Sequence, residues 1–211
     1  MLSLKHSSND WAFTPIAARA TSKRRIIGFF IIVEMFFCKG SVFLGINKRN
    51  VVSLWIEFEI AMVELNLPEY NFKVKKTEGG SWTIHDRLRD RWVALTPEEW
   101  VRQHFVEWLI AEKGFPAALM GNEVSLTQNG IARRCDTVVA DRMGNPLVII
   151  EYKAPHINIT QKVFDQIVRY NMVLKARYLI VSNGLEHYCC HIDYEKNSYQ
   201  FLEEVPCYTD L

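Results

Sequence analysis

Asp136, Glu151 and Lys153 are the residues whose types and spacing could do chemistry. They lie in Arg133 to Lys153, RRCDTVVADRMGNPLVIIEYK, which reads as a β-hairpin. Cys135–Asp141 and Leu147–Tyr152 are short and rich in Val and Ile, and Arg142-Met143-Gly144-Asn145 followed by Pro146 is turn chemistry. With those four residues as the loop, Asp141 faces Pro146 and the register sets Asp136 directly opposite Glu151, their Cβ atoms roughly 4.5–5.5 Å apart. Side chains alternate along a strand, so Lys153 shares the Glu151 face. Two carboxylates that close are unfavourable unless a cation lies between them or one takes up a proton. A hard divalent cation bound by oxygen is the natural resolution, and Mg²⁺ fits that description.

The spacing Asp-x14-Glu-x-Lys after a strand-turn-strand resembles the PD-(D/E)xK nuclease core. From Thr96 to about Tyr208 the resemblance tightens. The segments LTPEEWVRQH, NGIARRCDTVVADRMGNPLVIIEYKAP, FDQIVRYN and SNGLEHYCCHIDY are similar to the N-terminal endonuclease domain of type I restriction enzyme R subunits. Cys135 stands where the motif has Pro. The resemblance implies an α/β fold, a restriction-endonuclease-like mixed β-sheet flanked by helices. It also implies Mg²⁺, with Mn²⁺ as a substitute, held by Asp136, Glu151 and the Tyr152 carbonyl, for hydrolysis of DNA phosphodiesters. Lys153 would orient the attacking water, Gln166 and Tyr170 would stand beside the active site, and Arg133 and Arg134 would contact the nucleic acid. A helix before the first strand often supplies a third acidic residue in that core; Glu99 is the candidate, with a helix-capping carboxylate as its other reading and Glu107 as the exposed-face alternative. R subunits couple the nuclease to a motor, so motor or specificity subunits encoded elsewhere are the expected partners. The alternative is a nucleic-acid-binding or assembly module that keeps the fold without cleavage.

Composition narrows the classes. The 211 residues suffice for one domain and an appendage, and 49% hydrophobic and 12% aromatic residues can fill a sizeable core. A formal net charge of +1 argues against a nonspecific polybasic binder, although a local pair such as Arg133-Arg134 can still meet DNA. There are five cysteines; Cys189 and Cys190 are adjacent on an expected strand and point to opposite faces, against a shared metal or an ordinary disulfide. A reduced cytoplasm is the simplest setting. The sequence has no GxxxxGK[ST] and no HExxH, hence neither a P-loop motor nor a zincin.

Residues 1–61 differ in kind from the rest. Lys23-Arg24-Arg25 precede an apolar run, Ile26–Phe37, broken by Gly28 and Glu34. A transmembrane helix would carry Glu34 and Lys39 inside it, and a signal peptide would lack a clean cleavage site. The third and favoured reading is that the segment is not native protein but an upstream stretch included by an early start codon, ahead of a nuclease-like domain that begins at Met62; a membrane or interfacial anchor and a genuine soluble element are the alternatives.

From Leu67 onward, elements follow in order. Phe72–Lys76 alternates like an edge strand, and Trp82–Asp86 is a short strand. The charge run Arg87–Arg91 reads as a solvated face, or else as a phosphate contact. Thr96 is an N-cap with Pro97 at the first helical position and Glu99 closing a capping box, for a helix to about Lys113 ended by Gly114. Trp100, Val101, Phe105, Trp108 and Leu109 form its apolar stripe. Glu123–Leu126 is a strand, with a turn at Gln128-Asn129-Gly130. Thr160 caps a helix through about Leu174, on which Gln166 and Tyr170 share a face. Ala176–Ser182 is a buried strand, Asn183-Gly184 a turn, His187–Tyr194 the returning strand, and Ser198–Leu202 the last. His187 and His191, about 13 Å apart by strand rise, read as structural.

Overall fold

The computed structural model describes residues 63–128 and 131–211. Residues 1–62, which include the expected extension and its apolar run, and the turn residues 129–130 lie outside the described residues.

Thr96-Pro97 starts the first helix, α1 (Pro97–Ala111), for the expected reason: extended Thr96 lets its Oγ1 accept from the Glu99 N–H at 3.1 Å. The other half of the capping box does not form, because the Glu99 carboxylate is spent on Arg89, Arg102 and Gln103. Val101, Phe105, Trp108 and Leu109 make the buried stripe, while Trp100 is only partly buried. Phe105 meets Tyr152 edge-on at 5.9 Å between ring centroids, which docks the helix over the central hairpin.

That hairpin belongs to a six-stranded sheet whose strands lie side by side in chain order. They are β4 (Met120–Gln128), β5 (Ile131–Ala140), β6 (Pro146–Tyr152), β7 (Tyr178–Ser182), β8 (His187–Asp193) and β9 (Ser198–Phe201). All neighbours are antiparallel except β6 and β7, which are parallel and joined through the second helix, α2 (Gln161–Leu174). A parallel pair needs such a crossover. Short 3₁₀ turns occur at Ala117–Leu119 and Tyr208–Asp210. The two helices cover opposite faces. Val148, Ile150, Ile180 and Cys189 pack with α1, and Ile149, Leu179, Val181 and Cys190 pack with Phe164 and Val168 of α2. Hence Leu147–Ile150 is an unbroken apolar run, as a strand covered on both sides must be. Cys189 and Cys190 do point to opposite faces; Cys135, Cys189, Cys190 and Cys207 are free thiols.

The hairpin register matches the sequence reading in its body and differs at its tip. Thr137 faces Ile150, Val138 faces Ile149 and Val139 faces Val148, but the pairing then shifts so that Ala140, not Asp141, faces Pro146. Asp141 instead closes the loop: Oδ1 accepts from the N–H groups of Met143 and Asn145, each at 2.8 Å. A short carboxylate satisfies loop N–H groups that would otherwise go unpaired, and this pulls Asp141 out of the strand. The β7–β8 turn is likewise longer than Asn183-Gly184. Ser182 faces His187, and Asn183 Oδ1 holds the N–H groups of Leu185 and Glu186.

The N-terminal strands form their own sheet, β1 (Val74–Lys76), β2 (Trp82–Asp86) and β3 (Arg91–Ala94), in that order. The sequence reading missed β3 because the strand is only four residues long and begins at the end of the charge run Arg87–Arg91. The run Arg87–Arg91 is not a uniformly solvated face. Arg89 is largely buried, ion-paired to Asp86 and to Glu99 at 3.0 Å, and Arg87 binds Glu107 at 2.9 Å. β4 is longer than the expected Glu123–Leu126.

His187 is structural. Its Nε2 faces the Asn66 carbonyl at 3.3 Å, which requires Nε2–H, so Nδ1 accepts the Ser182 hydroxyl at 2.8 Å; burial pushes the imidazole down to about 4 and keeps it neutral. His191 packs against Tyr178. Among the described residues no helix is long and apolar enough to cross a membrane.

Leu65 and Leu67 are buried in the α1 core, and Asn66 donates its N–H to Gly184 O at 2.8 Å and its Nδ2–H to Leu185 O at 2.7 Å. A fragment of residues 62–211 is therefore expected to melt no lower than the full chain. A fragment starting at Glu69 loses two buried leucines, about 3 kcal/mol or more of stability. Denaturant unfolding of the three chains checks this; early unfolding of the 62–211 fragment would give the preceding residues a share of the core.

Candidate active site

The charged site forms where the apolar part of β6 ends. Beyond the Thr137–Ile150 pair come Asp136 and Glu151, close enough for their carboxyl groups to hydrogen-bond. The Tyr152 N–H donates to Asp136 Oδ2 at 2.8 Å, and the Lys153 N–H continues onto Ser182 O of β7 at 2.9 Å. Burial first, then the Asp136 charge, push the Glu151 carboxyl up to about 8, while Lys153 pulls it partly back. Without a cation, the Glu151 carboxyl therefore holds a proton near neutral pH. The structure thus brings Asp136, Glu151 and Lys153 together at one strand end.

Among the described residues no three His, Cys, Asp or Glu side chains gather as a metal cluster. The fit is to a small hard ion rather than to a fully protein-caged one. Mg²⁺ needs only one or two carboxylates, and backbone oxygen, water and substrate phosphate complete its shell. Asp136, Glu151 and the Tyr152 carbonyl suit that demand.

Glu99 is not free to be the third acidic group. Its Oε1 accepts from Arg89 at 3.0 Å and from Gln103 at 2.8 Å, and its Oε2 from Arg102 at 2.7 Å. The residue before it, Glu98, faces the site instead, with its side chain 44% exposed. Burial and then the Asp136 charge push the Glu98 carboxyl up, against Lys153 and Arg102. A one-residue step rotates a helix by about 100°, so sequence spacing alone could not choose between the two. Glu107 is engaged by Arg87.

Sequence reading also missed Arg102, whose side chain is only 3% exposed. Its guanidinium reaches Glu99 at 2.7 Å, Glu123 at 2.8 Å and Asp136 Oδ1 at 3.2 Å, and stands 5.6 Å from the Tyr152 ring centroid. Burial works against its charge, but Glu99, Asp136 and Glu123 outweigh that effect and keep it protonated. The available signal was the i, i+3 spacing of Glu99 and Arg102 on a helix. Glu123 sits on β4 beside Asp136, between the Asn122–Thr137 and Val124–Cys135 pairs, at a φ of +56° that costs a non-glycine residue about 1–3 kcal/mol. Arg134, 69% exposed, ion-pairs with the same Glu123 at the rim of the site. Beneath it run further hydrogen bonds: Tyr152 hydroxyl to Thr137 Oγ1 at 3.1 Å, Thr137 hydroxyl to Asn122 Oδ1 at 2.6 Å, and Asn122 Nδ2–H to Asp86 at 2.9 Å. Gln166 and Tyr170 fall on α2 and Arg133 on β5, but their side chains lie outside the described residues.

Among solved structures, the chain is similar to a fragment described as an HsdR subunit of a type I restriction enzyme from Vibrio vulnificus YJ016. Identity is 20% and the TM-score 0.39, over 52% of this chain and 23% of that one. The chain thus spans about a quarter of the length of that protein. No curated protein matches it. Residues 97–206, from the first turn of α1 to just past β9, match the family model described as the type I restriction enzyme R protein N terminus. That is just over half of the chain and contains Asp136, Glu151, Lys153 and Arg102; the chain belongs to the family of type I restriction enzyme R protein N-termini.

Proposed function

We propose that this chain is a restriction-type DNA endonuclease module that hydrolyses phosphodiesters with Mg²⁺, or Mn²⁺ in its place. The observation that carries the reading is the Asp136–Glu151 contact with Lys153 beside it, in a chain of this family. Asp136, Glu151 and the Tyr152 carbonyl would hold the ion, which when bound supplies Lewis acidity at the scissile phosphate. Arg102 and the Tyr152 N–H fix the two oxygens of Asp136, so the carboxylate is oriented before any ligand arrives. Lys153 positions the attacking water and donates to the charge that develops on the phosphoryl oxygens. Glu98 would take the place of Glu99 as the third acidic group, facing the site from α1. Arg134 and Arg133 would meet the backbone near the scissile bond, with Gln166 and Tyr170 beside them. DNA is the substrate, motor or specificity subunits encoded elsewhere are the partners, and the setting is the cytoplasm.

The test is cleavage of supercoiled plasmid by the full chain with Mg²⁺ or Mn²⁺. Asp136→Ala and Glu151→Ala are expected to lose both cleavage and metal affinity. Lys153→Ala is expected to bind the metal nearly as well and to turn over about 10²-fold more slowly or less, since it acts on the transition state. Equal rates for Lys153→Ala and wild type would remove Lys153 from the chemistry. Absence of cleavage with any divalent ion, with or without a motor partner, would leave a binding or assembly module.

Stability in EDTA supplies an independent check. The Glu151 carboxyl titrates near 4.5 when unfolded and is pushed up to about 8 when folded. Between those values the native state binds more protons than the unfolded state, so wild-type stability falls as pH rises through that window, by at most about 1.4 kcal/mol per pH unit. Glu151→Gln has no such titration. Its melting temperature is expected to overtake wild type by pH 9 in EDTA, and added Mg²⁺ should raise only the wild type. Parallel melting curves for the two proteins from pH 5 to 9 would contradict the raised titration of Glu151. Asp136→Ala is a poorer probe, because it also strips Arg102 and the Tyr152 N–H of a partner.

A further inference from the structure

The small sheet β1–β3 lies outside the stretch matched by the family model, and one of its faces is open. Alternation and register divide its side chains. Ile84 is fully buried and pairs with Val74 and Val93, so these mark the inner face. Lys75 pairs with Thr83, His85 with Trp92, and the His85 N–H reaches Lys73 O, so Lys73, Lys75, His85 and Trp92 share the outer face. Lys73 and Lys75 are exposed, and Trp92 is 38% exposed, among the few large apolar side chains left so open. The Lys75 Nζ lies 4.0 Å from the Trp92 ring centroid, and His85 meets that ring edge-on at 5.4 Å.

The charge of this segment is unlike that of the chain. Residues 73–94 hold six Lys or Arg against Glu78, Asp86 and Asp90, a formal +3, where the whole chain carries +1. Asp86 is paired internally with Arg89, and Asp90 lies beyond the far end of β2, 3.3 Å from His85, so Glu78, in the β1–β2 turn, is the acid nearest in sequence to Lys73 and Lys75. An exposed indole flanked by lysines on a strand surface complements a nucleic-acid strand, whose phosphates meet the cations while a base meets the ring.

We propose that the outer face of β1–β3 binds single-stranded nucleic acid, with Trp92 as the stacking platform and Lys73 and Lys75 on the phosphates. A strand with unpaired bases is required, because the bases of a duplex are already stacked and cannot lie on an indole. Lys75 does not block the ring. A cation over an exposed aromatic ring is worth about 0.5–1 kcal/mol, whereas a stacked base is worth about 1–3 kcal/mol; a base therefore displaces the ammonium, which turns to a phosphate. The sheet is tied to the candidate active site through the Arg89–Glu99 ion pair, so a strand held there lies against the same rigid body that carries Asp136. The inference shares with the proposed function the premise that the substrate is a nucleic acid, but not the premise of cleavage.

Binding of the full chain to a fluorescein-labelled thymidine oligonucleotide, followed by anisotropy in EDTA, tests the two separately. Trp92→Ala is expected to weaken binding about tenfold and Trp92→Phe to retain most of it. Lys73→Ala with Lys75→Ala is expected to flatten the plot of log K against log salt by about 1.4, as for two lost phosphates. EDTA removes any divalent ion, so this binding is read whether or not the chain is a nuclease. Melting temperatures within a few degrees of wild type for these surface variants exclude misfolding. No detectable binding, unchanged affinity in the Trp92 and lysine variants, or tighter binding to a duplex of equal length would each overturn the proposal.

Discussion

The buried guanidinium of Arg102 is the interaction on which the rest of the site depends. It draws carboxylates from three separate elements to one point: Glu99 from its own helix, Glu123 from β4 and Asp136 from β5. Removing an ion of this kind from water costs several kcal/mol, which is recovered only with close, well-directed partners. Arg102 has them at 2.7, 2.8 and 3.2 Å. Without it, Asp136 would lose its ion-pair partner, Glu99 would keep only Arg89 and Gln103, and Glu123, at its left-handed backbone position, would keep only the exposed Arg134. The arginine thus makes it possible to gather so many acids beneath a surface site.

That arrangement leaves a gradient of charge balance. Near Arg102 the acids are paired with cations. Farther out, Glu151 has only part of the Lys153 charge to offset both burial and Asp136, so it holds a proton at neutral pH. The unbalanced position is the one at the end of β6 that opens toward Lys153, where an added divalent cation relieves most repulsion. The hydrophobic sandwich supports this. β6 is covered on both faces by α1 and α2, and its first charged residues appear where that cover ends. The Asp86–Asn122–Thr137–Tyr152 hydrogen bonds continue the ordering beneath the site and bind the small sheet to the large one.

The small sheet therefore has two faces with different tasks. Its inner face and the Arg87–Asp90 turn are structural, with Ile84 packed beside Leu95 and Arg89 feeding the Glu99 end of the network. Its outer face keeps Trp92 and two lysines in water, which packing does not explain.

Local rules made much of this legible in the sequence. Thr96-Pro97 and Thr160 start their helices as written, because a cap is a contact between residues three apart. The body of the β5–β6 register, Thr137 to Val139 against Val148 to Ile150, follows from alternation, and it brings the neighbouring Asp136 and Glu151 close together. The apolar run Leu147–Ile150 announced a strand buried on both sides. What failed depended on partners distant in sequence. Nothing local tells that Arg89 binds Glu99, that Arg102 reaches Asp136 across 34 positions, or that Glu98 rather than Glu99 looks toward the site. Those choices were made when α1 docked on the sheet, because only the docked orientation decides which helical carboxylate meets a buried cation and which meets the open end of β6. The same holds for Arg89, in the turn before β3, which reads as a solvated charge until Asp86 and Glu99 are seen to pair with it.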